Sequence, residues 1–586
     1  MQITQTLRKV ILAWREGGIG LVWQKVRRKI IWTLQVLRVI PIKASLDSTF
    51  LFVEEPSLEN LLYQPLISVL IPTYNTPVEY LIAAVDSVRH QFYPHWEICI
   101  CDDASSDKLT LDKLHIIAEG DTRIKVTFSP TNGGISAATN KAAEIAQGEF
   151  FALLDHDDEL TTNALYEIVR ALNEDMDVEI LYSDQDKIDT HNLPHEPFFK
   201  PDWSPVFLRS VMYVGHLLVV KHELYHRVNG MNSQFDGVQD YEFALRVSEI
   251  APRVRHIPQI LYHWRKTPGS IALGLDEKGE KIEMLQVKAV NEHISRLGIK
   301  AVATKHPEHR HRVLVKPIPR GNHPLVSIII LTKDSPQHIG RCLQSIFKNS
   351  TYPNFEIVVV DNGTTNEDAL RILKENPIKV IPFHEKFNFS KANNIGVQNS
   401  KGEFIVLLNN DTEVITPDWI EQLLLYCEFT DIGAVGPLLL YPDRTVQHAG
   451  VVLGLRGTAD HIMRHFPFDS DGYAGSLSCP REVSAVTGAC LMVKRSDYLN
   501  GSGLVEYYGT HYQDVDLCLR ILANGKRNLY IPYAVLIHYE NSTRGNYYDH
   551  VDRALLLDIW GTLIKKGDPF YNPNLSLDNQ KFYDTK

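Results

Sequence analysis

Directly after an apolar run the chain reads Asp155-His156-Asp157-Asp158. Carboxylates packed this closely repel one another unless a cation or a proton neutralises them. A hard divalent ion, held by one or two carboxylates and completed by phosphate oxygens, is the economical solution. The corresponding place in the second half of the chain reads Asn409-Asn410-Asp411, so Asn409 replaces the first acid while Asp411 remains. An acidic turn capping the next helix is the alternative for either stretch alone, and recurrence at the same place favours the metal. A second acidic element, Asp102-Asp103, returns as Asp361-Asn362; there a carboxylate can accept hydrogen bonds from a nucleotide base or ribose. A third, Gln239-Asp240 and Gln513-Asp514, opens two amphipathic stretches that each end in an arginine. Such an aspartate is a common helix cap, or a carboxylate that takes a proton from a hydroxyl. His263 and His538 follow by 23 and 24 residues, where an imidazole either completes a metal shell or packs structurally.

These pairings belong to an internal repeat. SVLIPTYN at 68–75 returns as SIIILTKD at 327–334, and WEICICDDASSD at 96–107 as FEIVVVDNGTTN at 355–366, both at an offset of 259. Ser136 and Asn140 match Ser390 and Asn394 at an offset of 254. VQDYEFALR at 238–246 pairs with YQDVDLCLR at 512–520, and LYHWR at 261–265 with LIHYE at 536–540. So long a period indicates two whole domains of one fold, not a solenoid. Within the first copy, apolar runs at 67–71, 97–101 and 149–154 alternate with helical stretches at 78–90 and 136–146. Short apolar runs separated by helices predict an α/β architecture with a mainly parallel sheet flanked by helices. Ligands in such sheets sit beyond the carboxyl ends of the strands, where each acidic cluster falls. The expected organisation is a basic amphipathic segment at 1–60, a first domain at 61–299, a linker at 300–322 and a second domain at 323–586.

Composition removes several function classes. Residues 1–43 carry a net charge of +8, which leaves −19 for the remainder of a chain whose total is −11. Such a body repels nucleic acid. The arm interleaves its cations with Trp14, Trp23, Trp32 and aliphatic residues, which suits an anionic membrane surface or an apolar face packed on the body. The seven cysteines include no CxxC pair, which argues against a disulfide framework or a zinc site and fits a reducing compartment. No run of about 20 uncharged apolar residues occurs, so no membrane span is expected. The first strand–helix turn reads Pro72-Thr73-Tyr74-Asn75 in place of GxGxxG, and GxxxxGK[ST] does not occur. A dinucleotide oxidoreductase and a P-loop enzyme are thereby disfavoured.

The blocks PTYN, DDASSD, NGGISAATN, LLDHDDEL and QDYEFALR resemble the signature blocks of inverting family-2 glycosyltransferases with the GT-A fold. In the second copy LTKD, VVVDNGTT, NFSKANNIG, LLNNDTEV, TGACLMVK and YQDVDLCLR resemble the rhamnosyltransferase-like branch of that family. The resemblance covers about residues 64–270 and 325–545. It implies two tandem GT-A domains with nucleotide-sugar contacts from Thr73, Asp103 and Asp155, and from Thr332, Asp361 and Asn409. It further implies Mn²⁺ or Mg²⁺ on Asp157 and Asp411, with His263 and His538 as further ligands, and Asp240 and Asp514 as catalytic bases. The QxxRW block of processive synthases is missing.

The expectation is therefore a bifunctional enzyme that moves sugars from UDP-, dTDP- or GDP-linked donors to a saccharide or lipid-linked saccharide in cell-surface polysaccharide synthesis. It would reside in the cytoplasm, reaching the inner face of the cytoplasmic membrane through residues 1–43. One catalytic domain with a saccharide-binding or scaffolding partner domain is the second reading. A metal-dependent nucleotidyltransferase or phosphohydrolase is the third.

Overall fold

A computed structural model describes residues 56–578 except 190, 252, 267–275, 320 and 541–549. The basic arm at 1–43 lies outside the described residues. The described chain divides into two compact units. One comprises Pro56–Pro319 with Gly567–Leu575; the other comprises the described parts of Arg320–Lys566 and Ser576–Asp584.

The first unit is built on a nine-stranded sheet. Strand Ile67–Thr73 is buried at every position, because its neighbours and the helices cover both faces, so its sequence is a continuous apolar run. It pairs in parallel with Trp96–Asp102 on one side and Phe150–Leu153 on the other, and Ile124–Phe128 closes that edge. Helix Val78–Arg89 buries Leu81, Ala84, Val85 and Val88, the spacing of a single helical stripe. Beyond Phe150–Leu153 the sheet becomes mixed. Strand Leu218–Lys221 slots between Phe150–Leu153 and Ile180–Ile188 and pairs antiparallel with both. Val254–Arg265 then runs parallel to Ile180–Ile188, and the short strand Glu159–Leu160 pairs antiparallel with it. The parallel character expected from the sequence thus runs through the half of the sheet built by strand–helix–strand crossovers and returns only where Ile180–Ile188 pairs with Val254–Arg265.

The second unit repeats this plan on ten strands, in the order Lys379–Pro382, Phe355–Asp361, Val326–Thr332, Phe404–Asn409, Cys490–Lys494, Ile432–Leu440, Arg527–His538 and Thr412–Val414, with Val446–His448 and Arg481–Val483 pairing off this path. It also carries a hairpin, Val451–Leu453 with Ala459–His461.

Two stretches differ from the linear division. The segment 300–322, expected as a linker, contains strands Ala301–Lys305 and Val313–Pro317, paired antiparallel, and falls in the first unit up to Pro319. Residues Gly567–Leu575 also belong to the first unit. There the Asn572 amide donates to Asp184 Oδ2 at 2.8 Å and to the Lys200 carbonyl at 2.9 Å. Among the described residues no helix is long and apolar enough to cross a membrane.

One tight junction recurs in both units. The Gly148 amide donates to Ser68 Oγ (2.8 Å), which donates to Glu97 (2.6 Å). Gly402, Ser327 and Glu356 repeat the contacts at 2.7 and 2.6 Å. A Cβ on Gly148 would stand 2.7 Å from the Leu66 carbonyl, and one on Gly402 2.6 Å from the Ser327 nitrogen. Both obstacles are backbone and cannot rotate away. Gly148→Ala and Gly402→Ala should each cost about 1–3 kcal/mol of domain stability in urea unfolding. Unchanged midpoints would contradict this account of the junction.

Candidate functional site

The first site assembles where the crossover half of the sheet ends. Strand Phe150–Leu153 delivers Asp155 just past its carboxyl end, and the turn that follows delivers Asp157 and Asp158. Ligand atoms of Asp155, Asp158 and His216 lie within 4.8 Å of one another. His216 Nε2 stands 4.0 Å from Asp155 Oδ2, and its ring stacks on Tyr262 at 4.8 Å between centroids. Asp158 is pinned on both oxygens: Tyr262 Oη donates at 2.6 Å and the Arg265 amide at 2.7 Å. Burial and the neighbouring Asp157 push Asp155 up to about 6. Burial, with Asp155 and Asp157 beside it, raises Asp158 well above the usual carboxylate range. Burial pushes His216 down to about 4, so its imidazole is neutral near pH 7 and free to act as a ligand. Behind it, the buried Lys200 ammonium donates to the Val214 and His216 carbonyls at 2.6 and 2.5 Å and holds the loop in place.

Carboxylates and an imidazole without a thiolate make a donor set suited to Mn²⁺ or Mg²⁺. The raised carboxylates express the same fact electrostatically, since a divalent cation relieves the repulsion that otherwise retains a proton. Residues present and group fit.

The second site keeps the frame and changes the charges. Asn409 and Thr412 stand where the first copy has Asp155 and Asp158, by the 254 offset. Ala489 stands where it has His216, because Phe150 pairs with Lys221 as Phe404 pairs with Lys494. The remaining acid, Asp411, lies 3.2 Å from His538 Nε2. Burial opposes its ionisation, yet the His538 hydrogen bond and charge bring its carboxyl below the usual range. His538 Nδ1 faces Gln447 Oε1 at 2.7 Å, while Gln447 Nε2 donates to Glu540 at 3.1 Å. That chain gives Nδ1 the hydrogen and leaves Nε2 to meet Asp411 either as a cation or by sharing a metal ion, with the orienting hydrogen bond that metal-ligating histidines carry.

His263 does not repeat His538. Its Nδ1 lies 2.5 Å from Asp186 Oδ1, and it is absent from the Asp155–Asp158–His216 group. Strand register explains the difference. Leu160 pairs with Tyr262 and its equivalent Val414 with Leu536, which makes Trp264 the counterpart of His538. A slip of one residue moves a side chain to the opposite face of the sheet. The signal was present in the sequence: an uninterrupted offset of 274 from Gln239 through Ile257-Pro258 and onward aligns Trp264, not His263, with His538. His216 and Tyr262 were not singled out from the sequence; aligning GHLLVVK with GACLMVK would have exposed the histidine.

The predicted nucleotide contacts hold loops together at the strand ends. Thr73 Oγ1 approaches Asp102 Oδ1 at 3.5 Å. Asp103 accepts the Gly133 and Gly134 amides at 2.9 and 2.8 Å. Asn362 makes the same tie with reversed polarity, donating to the Phe383 and Glu385 carbonyls. Asp361 accepts from the Thr364 hydroxyl and amide, and Thr332 Oγ1 accepts from Asn410.

Asp240 and Asp514 each stand at the second position of a helix, Gln239–Ser248 and Gln513–Ala523. Asp240 accepts the Tyr241 amide at 2.8 Å. Asp514 accepts the Val515 and Gly488 amides at 2.8 and 2.7 Å. Burial raises both above the usual carboxylate range.

The family model described as glycosyl transferase family 2 matches twice, at residues 68–229 and 327–498. An uncharacterized protein, y4gI of Sinorhizobium fredii, is 37% identical over 540 residues, which is 88% of this chain and 58% of that protein. The O-antigen biosynthesis protein RfbC of Myxococcus xanthus is 34% identical over 88% of this chain and 40% of its own length. The chain thus spans about half the length of the curated relatives it matches. S. aureus TarS 1–349 in complex with UDP-GlcNAc is similar at a TM-score of 0.33 and 20% identity, over 39% of this chain and 66% of that one.

A proton must leave Asp155, held up to about 6, before a cation can use both its oxygens. Calorimetric Mn²⁺ affinity at the first site should therefore fall as pH drops from about 7 to about 5, and Asp155→Asn should flatten that dependence. Affinity independent of pH in the wild type would contradict the arrangement.

Proposed function

The chain belongs to glycosyl transferase family 2, whose model matches it twice, and on that premise we propose that both domains are inverting GT-A sugar transferases acting in the synthesis of a cell-surface polysaccharide. The observation that carries this reading is the same in each domain: a half-buried carboxylate, Asp240 or Asp514, at the second position of a helix, with its affinity for protons raised by its partial removal from water. A carboxylate meant to take a proton from a sugar hydroxyl gains from such a shift, because its basicity then approaches the working pH.

In each cleft the acceptor hydroxyl would meet this base, while the donor nucleotide would lie along the strand ends where Thr73, Asp103 and Asp155 gather, or Thr332, Asp361 and Asn409. A divalent cation, Mn²⁺ or Mg²⁺, would supply charge to neutralise the departing diphosphate. Asp155 and Asp157 with His216 would hold it in the first domain, and Asp411 with His538 in the second. The neutral His216 and the orienting Lys200 keep the first cleft's donor atoms aimed inward. A single displacement with the base on the acceptor side inverts the anomeric centre. UDP-, dTDP- or GDP-linked sugars are the donors and a saccharide or lipid-linked saccharide the acceptor. The printed name of the Myxococcus relative, an O-antigen biosynthesis protein, supports that class of product. A cytoplasmic place, with residues 1–43 against the inner face of the membrane, completes the reading.

One observation favours a second reading, with a single catalyst and a saccharide-binding partner domain. Where the first cleft has Asp155, Asp158 and His216, the second has Asn409, Thr412 and Ala489, so its charge is far smaller.

Nucleoside diphosphate release from a panel of donors, with a glycolipid acceptor extract and Mn²⁺, separates the two. Asp240→Asn should lower transfer from one donor by about 10²–10⁴-fold and Asp514→Asn from another, each leaving the other intact. Loss in one variant only would establish the single-catalyst reading.

A further inference from the structure

Helix His550–Lys566 follows the last strand of the second unit and lies beyond the residues matched by the family model, which end at 498. Its Asp552 is 1% exposed and accepts three successive backbone amides, Gly509 on Oδ1 and Thr510 and His511 on Oδ2, each at 2.8 Å. Those amides form the run-in to the helix that carries Asp514. The next residue, Tyr512, has φ +65°, a left-handed conformation that is unfavourable for a side-chain-bearing residue and persists only where its surroundings impose it. Eight positions along the same helix, Trp560 Nε1 donates to Asp516 Oδ1 at 2.9 Å, while the other oxygen of Asp516 accepts from Arg520. Positions eight apart share a helix face, so one face grips both the run-in and the first turn around Asp514.

The first unit secures the equivalent run-in by different means. There Asp236, the counterpart of Thr510, accepts the Ser136 hydroxyl at 2.5 Å and its amide at 3.3 Å. The acid comes from the run-in itself, not from a later helix.

We infer that Asp552 is a positioning residue of the second site, which fixes the direction of the Asp514 carboxylate by anchoring residues 509–511. This rests on Asp514 being the base. Without Asp552 three part-buried amides lose their acceptor, the strained Tyr512 relaxes, and the Asp514 helix start shifts, while the donor side built on Thr332, Asp361 and Asp411 stays in place.

The test uses the full chain. Asp552→Ala and the isosteric Asp552→Asn are compared with Asp514→Asn for kcat and for donor KM, with Asp240-dependent transfer measured in the same preparations. A misplacement of about 1 Å costs on the order of 10²-fold in rate, so Asp552→Ala should lower kcat of the Asp514-dependent transfer by roughly that factor, with Asp552→Asn in between. Donor KM and Asp240-dependent transfer should stay unchanged, and the thermal transition should persist, lowered in Asp552→Ala by the amides left without an acceptor. An unaltered kcat in both Asp552 variants, alongside an inactive Asp514→Asn, would overturn the inference and leave the base in place. A donor KM that rises in step with the loss of kcat, or a lost thermal transition in the isosteric Asn variant, would reduce Asp552 to a structural role and overturn it too. Full activity in Asp514→Asn would instead remove the base reading on which the inference stands.

Discussion

Carboxylates crowded together and partly withdrawn from water at the ends of strands set the terms for the rest of this structure. An isolated buried charge is so costly that a protein pairs it, hydrogen-bonds it or lets it take up a proton. The first cleft uses all three answers. Asp158 is bonded on both oxygens, Asp103 is occupied by two glycine amides, and Asp155 retains a proton up to about 6. The second cleft removes most of the problem by replacing acids with Asn362, Asn409 and Thr412, and lets His538 balance the one that remains. Two copies of one fold therefore meet the same electrostatic demand by different chemistry. Their helix-borne aspartates, Asp240 and Asp514, are raised by burial in both.

Much of the frame was legible in the chain. The apolar runs at 67–71 and 97–101 became strands Ile67–Thr73 and Trp96–Asp102, and the helical stretch at 78–90 became Val78–Arg89. Continuous burial fills such strands mostly with apolar residues and admits a polar one only where it is hydrogen-bonded, as Ser68 and Glu97 are, so these elements announce themselves. The antiparallel insertion of Leu218–Lys221 was not legible, because strand order depends on which surfaces meet in space. The hairpin within 300–322 was obscured by its flanking prolines and polar residues. The adoption of Gly567–Leu575 by the first unit leaves no local trace either, since it depends on Asn572 meeting Asp184 across hundreds of residues of sequence.

The site shows the same boundary between local and spatial information. Clusters that a single strand end delivers, such as Asp155 to Asp158, could be read directly. His216 could not, since it arrives from another strand and its neighbours in sequence are apolar. His263 carries a sharper lesson. A shared histidine in LYHWR and LIHYE suggested equivalence, but a pleated strand distinguishes neighbours absolutely, and the register gives Trp264 the position in the first copy that His538 holds in the second. Matching residue types is weaker than matching the face on which they stand.

The central claim is that one chain holds two donor sites, and the number of nucleoside diphosphates it binds tests that most directly. Equilibrium dialysis of the full chain against UDP, GDP and dTDP with Mn²⁺, singly and in mixtures, would count them. The account predicts a limiting total of two per chain, with one lost in Asp157→Asn and the other in Asp411→Asn. A limiting total of one, abolished by a single one of these substitutions, would contradict it.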